Sequence, residues 1–182
     1  YRLGGAPPQT GNESNILALV MSYNKQNAGD ELVWRPTREW TLGAAYGFER
    51  YNWANYVAAA TNENSGKVFA DWKPASWFTL RSSAYFSDRR SVNYNLLGFT
   101  QNQFPAGTLA NNSFQFSPSY RMLMIDNRER WKANVAFDMV VAPGLLISPN
   151  FKYQDDNYGL NPANQLGLTD ARSWNAGIDL TY

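Results

Sequence analysis

The chain has 182 residues and carries 16 Lys and Arg against 15 Asp and Glu, so a net charge of +1 gives no nucleic-acid or acidic-ligand signal. It contains no Cys and no His, which excludes thiol catalysis, disulfides, the usual zinc sites, imidazole-based hydrolysis, and covalent or bis-histidine attachment of haem by this chain. Aromatic residues make up 15% of the sequence at a mean hydropathy of −0.49, a polar background for so aromatic a chain.

The start, Tyr1-Arg2-Leu3-Gly4-Gly5, shows no signal peptide and reads like the interior of a longer protein. The apolar run over 16–21 is far shorter than the ~18 residues of a membrane-spanning helix. From there period two dominates. Weaker strands are predicted at about 14–24, 28–35 and 65–73. Over 40–49, Trp40, Leu42, Ala44, Tyr46 and Phe48 share one face and Thr41, Gly43, Ala45, Gly47 and Glu49 the other. Over 78–87, Phe78, Leu80, Ala84 and Phe86 oppose Thr79, Arg81, Ser83, Tyr85 and Ser87. Over 131–141, Trp131, Ala133, Val135, Phe137, Met139 and Val141 oppose Lys132, Asn134, Ala136 and Asp138. The same alternation continues over 145–154 and 171–182, with Leu145, Ile147, Phe151 and Tyr153, then Trp174, Ala176, Ile178 and Leu180, on the apolar side.

Tight Pro-containing connections are expected at 35–39, 73–76 and 141–144. Long polar loops are expected at about 51–64, 89–128 and 155–170, which leaves hairpins at about 28–50, 65–88, 129–156 and 170–182. Loops of this length are unusual in compact soluble domains. Short turns at one end and long loops at the other are the rhythm of a bacterial outer-membrane barrel. The fold class predicted is therefore all-β, an antiparallel transmembrane β-barrel segment of about seven or eight strands over 1–182.

The apolar faces end in Trp34, Trp40, Trp72, Trp131, Tyr153 and Trp174, ring systems that prefer the headgroup level of a membrane. The opposite faces supply Glu49, Arg81, Tyr85, Lys132, Asn134, Asp138, Asn150, Lys152, Gln154 and Asp179 as candidates for a wet lumen. Burying such groups unpaired in a sandwich core costs several kcal/mol each. A soluble β-sandwich with one wet face per sheet is the competing fold, and solubility without detergent would favour it. Weaker motifs carry little. The Asp155-Asp156-Asn157-Tyr158-Gly159 stretch lacks the other ligands of a calcium loop. Asn12-Glu13-Ser14 and Asn111-Asn112-Ser113 match glycosylation sequons, and Arg128-Glu129-Arg130 reads as a solvated strand entrance. No catalytic, cofactor-binding or metal site is read, and the chain is not expected to be an enzyme.

One stretch has an echo. Trp34-Arg35-Pro36 followed by Trp40-Thr41-Leu42 reappears as Trp72-Lys73-Pro74 followed by Phe78-Thr79-Leu80. Together with Ser87-Asp88-Arg89-Arg90, the Pro143-Gly144-Leu145 turn, and Leu168-Thr169-Asp170-Ala171-Arg172-Ser173-Trp174, it resembles the MtrB/PioB family of outer-membrane barrels over most of 23–182. The resemblance implies a bacterial outer-membrane protein, in contact with lipid and not nucleic acid. It implies an arc of a larger barrel that sheathes a periplasmic multihaem c-type cytochrome, with an extracellular multihaem cytochrome as a further partner, and that moves electrons across the membrane. Haem would be carried by the partner and none bound by this chain. The family's barrels are much longer than this chain, and a Cys pair found near the start of some members is missing. A closed eight-stranded barrel of this length would have a lumen plugged by side chains. The alternative function is a general or weakly selective porin for small solutes.

Overall fold

The computed structural model describes residues 21–95, 122–158 and 167–182. They form one antiparallel sheet of seven strands in sequence order: β1 (Ser22–Trp34), β2 (Trp40–Ala54), β3 (Ala60–Ala75), β4 (Phe78–Val92), β5 (Arg128–Ala142), β6 (Leu145–Asn157) and β7 (Asp170–Thr181). Every strand pairs only with its neighbours in sequence, and β1 and β7 do not meet, so the sheet is open. No helix appears among the described residues.

Local sequence explains the turns. Between β5 and β6 only Pro143 and Gly144 intervene. Pro at the first central position fixes φ, and Gly144 takes φ 80° at the second, a combination suited to a type II turn. A register shift between Val140 and Ala142 accommodates it. Gly144→Val is expected to cost about 1–2 kcal/mol of stability, because a β-branched side chain strongly disfavours positive φ; chemical denaturation of the refolded barrel measures it. Inside β6, Pro149 lacks an amide proton, and the ladder to β5 is interrupted between the Ala136–Asn150 and Met139–Ile147 pairs. Across that gap the Ser148 hydroxyl donates to the Asp138 carboxylate at 2.8 Å.

Four expected connections differ. The loop expected over 51–64 is only 55–59, because β2 runs to Ala54 and β3 begins at Ala60. Likewise β4 continues to Val92 and β6 to Asn157, beyond the limits expected at 89 and 155. The polar residues there are strand residues that have left the apolar band, so their composition mimics a loop. The turn expected over 73–76 lies at 76–77, with Lys73, Pro74 and Ala75 inside β3 beside a bulge between Trp72 and Ala75. The separate strands expected at about 14–24 and 28–35 are, among the described residues, one strand, Ser22–Trp34; 14–20 lie outside the described residues, as do both sequons, Gly159, and most of the two longer loops.

The register assigns the faces. Tracing the pairs from Trp174 through Tyr153, Ala133, Ala84 and Val68 leads to Ala44. All lie on one face, with Leu32, Leu42, Phe86, Val135 and Phe151. Its large side chains stand open to the surroundings: Val68 is 56% exposed, Trp131 56%, Trp174 73% and Ile178 68%.

This apolar face is bounded by rings at both ends. At the short-turn end Trp40 stacks on Trp72 at 5.6 Å, Trp72 meets Phe78 edge-on at 6.1 Å, and Phe78 meets Phe137 at 6.2 Å. At the other end Phe86 packs on Trp131 at 4.6 Å. Both belts step along the sheet in the same sense. The ladder from Trp174 in β7 reaches Ala44 in β2, four residues short of Phe48. The ladder from Trp34 reaches Ser82 in β4, four residues from Phe78. With a rise of ~3.3 Å per residue and ~4.8 Å between strands, those steps correspond to strands tilted by about 30–40° from the normal to the belts. Transmembrane barrels tilt their strands by about 35–45°.

Candidate functional site: the polar face and its rim

The other face of the sheet is polar along its whole length. All ten residues expected to share a wet surface lie on it, but the structure sorts them into pairs rather than one pocket. Lys25 holds Glu49 at 2.5 Å, and Arg81 holds Asp138 at 2.6 Å. The Asn134 amide donates to the Ser83 hydroxyl at 3.2 Å, and the Asn150 amide to Asp179 at 3.3 Å. The Gln154 amide donates to Asp156 at 3.0 Å. Lys132 stands over the ring of Tyr85, 5.4 Å from its centroid, because the two are directly opposed across β4 and β5. Lys152 is the exception, with no carboxylate beside it among the described residues. The six aromatics expected at membrane interfaces all lie on the apolar face: Trp34, Trp40 and Trp72 toward the short turns, Trp131, Tyr153 and Trp174 toward the long loops.

Beyond the second ring belt the polar face closes into a rim that the sequence did not reveal. Arg89 of β4 reaches over residues 122–127 and spends its whole guanidinium on backbone. Its Nε donates to the Asp126 carbonyl at 2.9 Å, Nη1 to Met124 at 2.7 Å and Nη2 to Leu123 at 2.5 Å. The Ser91 amide donates to the Asn127 side chain at 2.7 Å and its hydroxyl to the Ile125 carbonyl, while the Met122 amide donates to the Tyr94 hydroxyl at 2.9 Å. Ile125 packs on Val57 and Ala58, and all three are almost fully buried. A small core therefore sits on the polar side of the sheet, away from the apolar belt.

Ion pairs surround it. Arg128 donates to Glu63 at 2.9 Å. Arg130 clamps both oxygens of Asp156, at 2.6 and 2.7 Å. Such two-point pairing carries geometric definition that a Lys–carboxylate contact lacks. Asp155 and Asp156 are expected from the sequence in the loop over 155–170. Instead they end β6, and Asp155 is paired with Arg172 on the apolar side at 3.3 Å.

Beside this core lies a cleft of about 390 Å³. Tyr51 and Trp53 form its floor, nearly coplanar at 13° and 5.2 Å apart, with Tyr23 and Tyr56 leaning against them at 5.2–5.4 Å. The Lys25 ammonium sits 5.1 Å above Tyr51. Arg89 stood out only as part of the Ser87–Arg90 stretch, and Arg128 and Arg130, expected at a solvated strand entrance, do open β5 but are held by Glu63 and Asp156, with Arg128 8% exposed; the contacts themselves were hidden because the partners are distant, Arg89 lying 34–37 residues from the carbonyls it binds. No group of His, Cys, Asp and Glu able to hold a metal occurs among the described residues.

A tilted antiparallel sheet with an apolar face bounded by aromatic belts and a charged, hydrogen-bonded face opposite is the wall of a transmembrane β-barrel. Among the described residues no helix is long and apolar enough to span a bilayer. The chain belongs to the MtrB/PioB family of outer-membrane β-barrel porins, whose family model matches residues 10–182, and its place is the bacterial outer membrane. A search of curated proteins finds no match.

Proposed function

We propose that this chain forms wall of an outer-membrane barrel that sheathes and positions a multihaem c-type cytochrome for electron transfer across the membrane. The observation that carries this reading is the pairing of a polar face with a sequence that has no His and no Cys. Without Cys and His this wall offers neither thioether attachment nor histidine ligation of haem, which favours a redox role played through a partner. The polar face would line the lumen and dock that partner. The strands would supply the apolar, low-dielectric jacket around it. An extracellular multihaem cytochrome could complete the path at the long-loop rim. The chain's own part is structural rather than catalytic.

Purification of the native protein from outer membranes under mild detergent tests this. Haem absorbance is expected to co-elute with the barrel in fixed ratio. A haem-free preparation that still supports transmembrane electron transfer overturns the reading.

The family's description as porins favours a second reading, a weakly selective pore whose polar face meets solute directly. A large steady conductance of the partner-free barrel in planar bilayers would support the pore. Absence of conductance without the partner would support the sheath.

A further inference from the structure

The charges of the polar face are unevenly satisfied. Lys25, Arg81, Arg128 and Arg130 each hold a carboxylate, and Arg89 holds three carbonyls. Lys132 and Lys152 hold none among the described residues. They are not scattered. Lys132 pairs with Gln154 and Asn134 with Lys152, so the two lysines are diagonal neighbours across β5 and β6, a spacing of roughly 8 Å or less. They line a hollow of about 500 Å³ together with Asn134, Gln154, Ser173 and Asn175. Each of these side chains can donate a hydrogen bond, and the hollow contains no carboxylate to answer the two positive charges.

We propose that this hollow is an oxyanion-binding site, in which the Lys152 ammonium meets a phosphate or carboxylate group and the Lys132 ammonium, which rests over Tyr85, swings across β5 to join it. Two positive charges unanswered by carboxylates on adjacent strands favour an anion shared by both. The surrounding amides and hydroxyl add direction to the contact. Ammonium groups bind as point charges and do not demand one oxyanion geometry, so the class, and not a single ligand, is defined. The site lies on the wall itself and is complete without any cytochrome.

Lys67 provides an internal control. It also faces the polar side, holds no carboxylate among the described residues and rests over a ring, Phe69 at 5.2 Å, as Lys132 rests over Tyr85, but it does not line the hollow. The refolded barrel is acetylated with an amine-reactive ester and each lysine's rate is read by mass spectrometry. Inorganic phosphate at about ten times its dissociation constant is expected to slow Lys132 and Lys152 by about tenfold while leaving Lys67 unchanged. Citrate is expected to protect the same pair, and chloride at equal ionic strength is not. Lys152→Gln is expected to abolish the protection of Lys132. Equal protection by chloride, or equal slowing of Lys67, reduces the effect to ionic screening and overturns the proposal. Because no cytochrome is present, failure here leaves the sheath reading untouched, and failure of the sheath leaves this site untouched.

Discussion

Arg89→Ala is expected to release residues 122–127 from the sheet while leaving the seven strands paired. The guanidinium donates to three carbonyls at 2.9, 2.7 and 2.5 Å, and the side chain is 9% exposed. A hydrogen bond from a charged donor contributes about 1.5–3 kcal/mol. Losing the donor also strands carbonyls that water reaches poorly, so the local cost is about 3–5 kcal/mol, the range for breaking a buried charged contact. The Ile125 and Asp126 amides, which both donate to the Met122 carbonyl at 3.0 Å, report the loss. At about 1.4 kcal/mol per factor of ten, their hydrogen exchange should accelerate by about 10² to several times 10³. Amides in the middle of β3 and β4 should hardly change. Arg89→Lys keeps the charge but not the planar fork, and should fall between the two. Unchanged exchange in Arg89→Ala would mean that Ile125 packing on Val57 holds the segment alone.

That prediction concerns the part of the molecule least visible in its sequence. The strand core was legible because each residue's environment alternates along the chain, and Trp40-x-Leu42-x-Ala44-x-Tyr46 records it directly. The ring belts were legible for the same reason. The upper parts of the strands were not. Above Phe48 and Phe86 the outer face turns polar while the inner one gains the rings of Tyr51 and Trp53: Arg50, Asn62, Asn64 and Asp88 occupy positions in line with the apolar face below. Hydrophobic alternation vanishes there although the ladder continues, so 51–54, 60–64 and 155–157 read as loop. The rim was invisible for a different reason. Arg89 binds main-chain oxygens, which every residue offers, and such pairing leaves no signature in side-chain order. The pairs Arg130–Asp156 and Arg128–Glu63 join residues 26 and 65 apart, and only the ladder makes them neighbours.

The arrangement also separates two tasks along the strand axis. Between the belts, the wall must be apolar outside and wet inside. Past the second belt, the sheet no longer needs an apolar exterior, and Arg90 there joins Asp88 at 2.7 Å and Glu129 at 3.2 Å on the outer side. The aromatic cleft and the Arg89-bound segment lie at this level on the inner side. A partner entering or leaving the barrel at the long-loop end would meet them first.

Val68→Arg gives the sharpest test of which face meets lipid. Val68 lies in the middle of the apolar band, opposite Ala44 and Ala84, and is 56% exposed. If water surrounded this face, the exchange would be an ordinary surface substitution worth within about 0.5 kcal/mol either way. Against hydrocarbon the guanidinium has no partner, and neighbouring Ala side chains give it none. The expected cost is then about 2–4 kcal/mol, as for cations near the midplane of an outer-membrane barrel. Ser83→Arg places the same side chain on the polar face of β4, opposite the uncharged Phe69 and Asn134, and is expected to change stability by less than about 0.5 kcal/mol. Both are read from reversible denaturant unfolding of the protein refolded into phospholipid vesicles. A large penalty at Ser83 with none at Val68 would invert the sheet and put the polar residues outward. Neutrality at both would remove lipid from the apolar face altogether. The asymmetry expected here follows from desolvation alone, because the two variants carry the same added charge and differ only in the face that presents it.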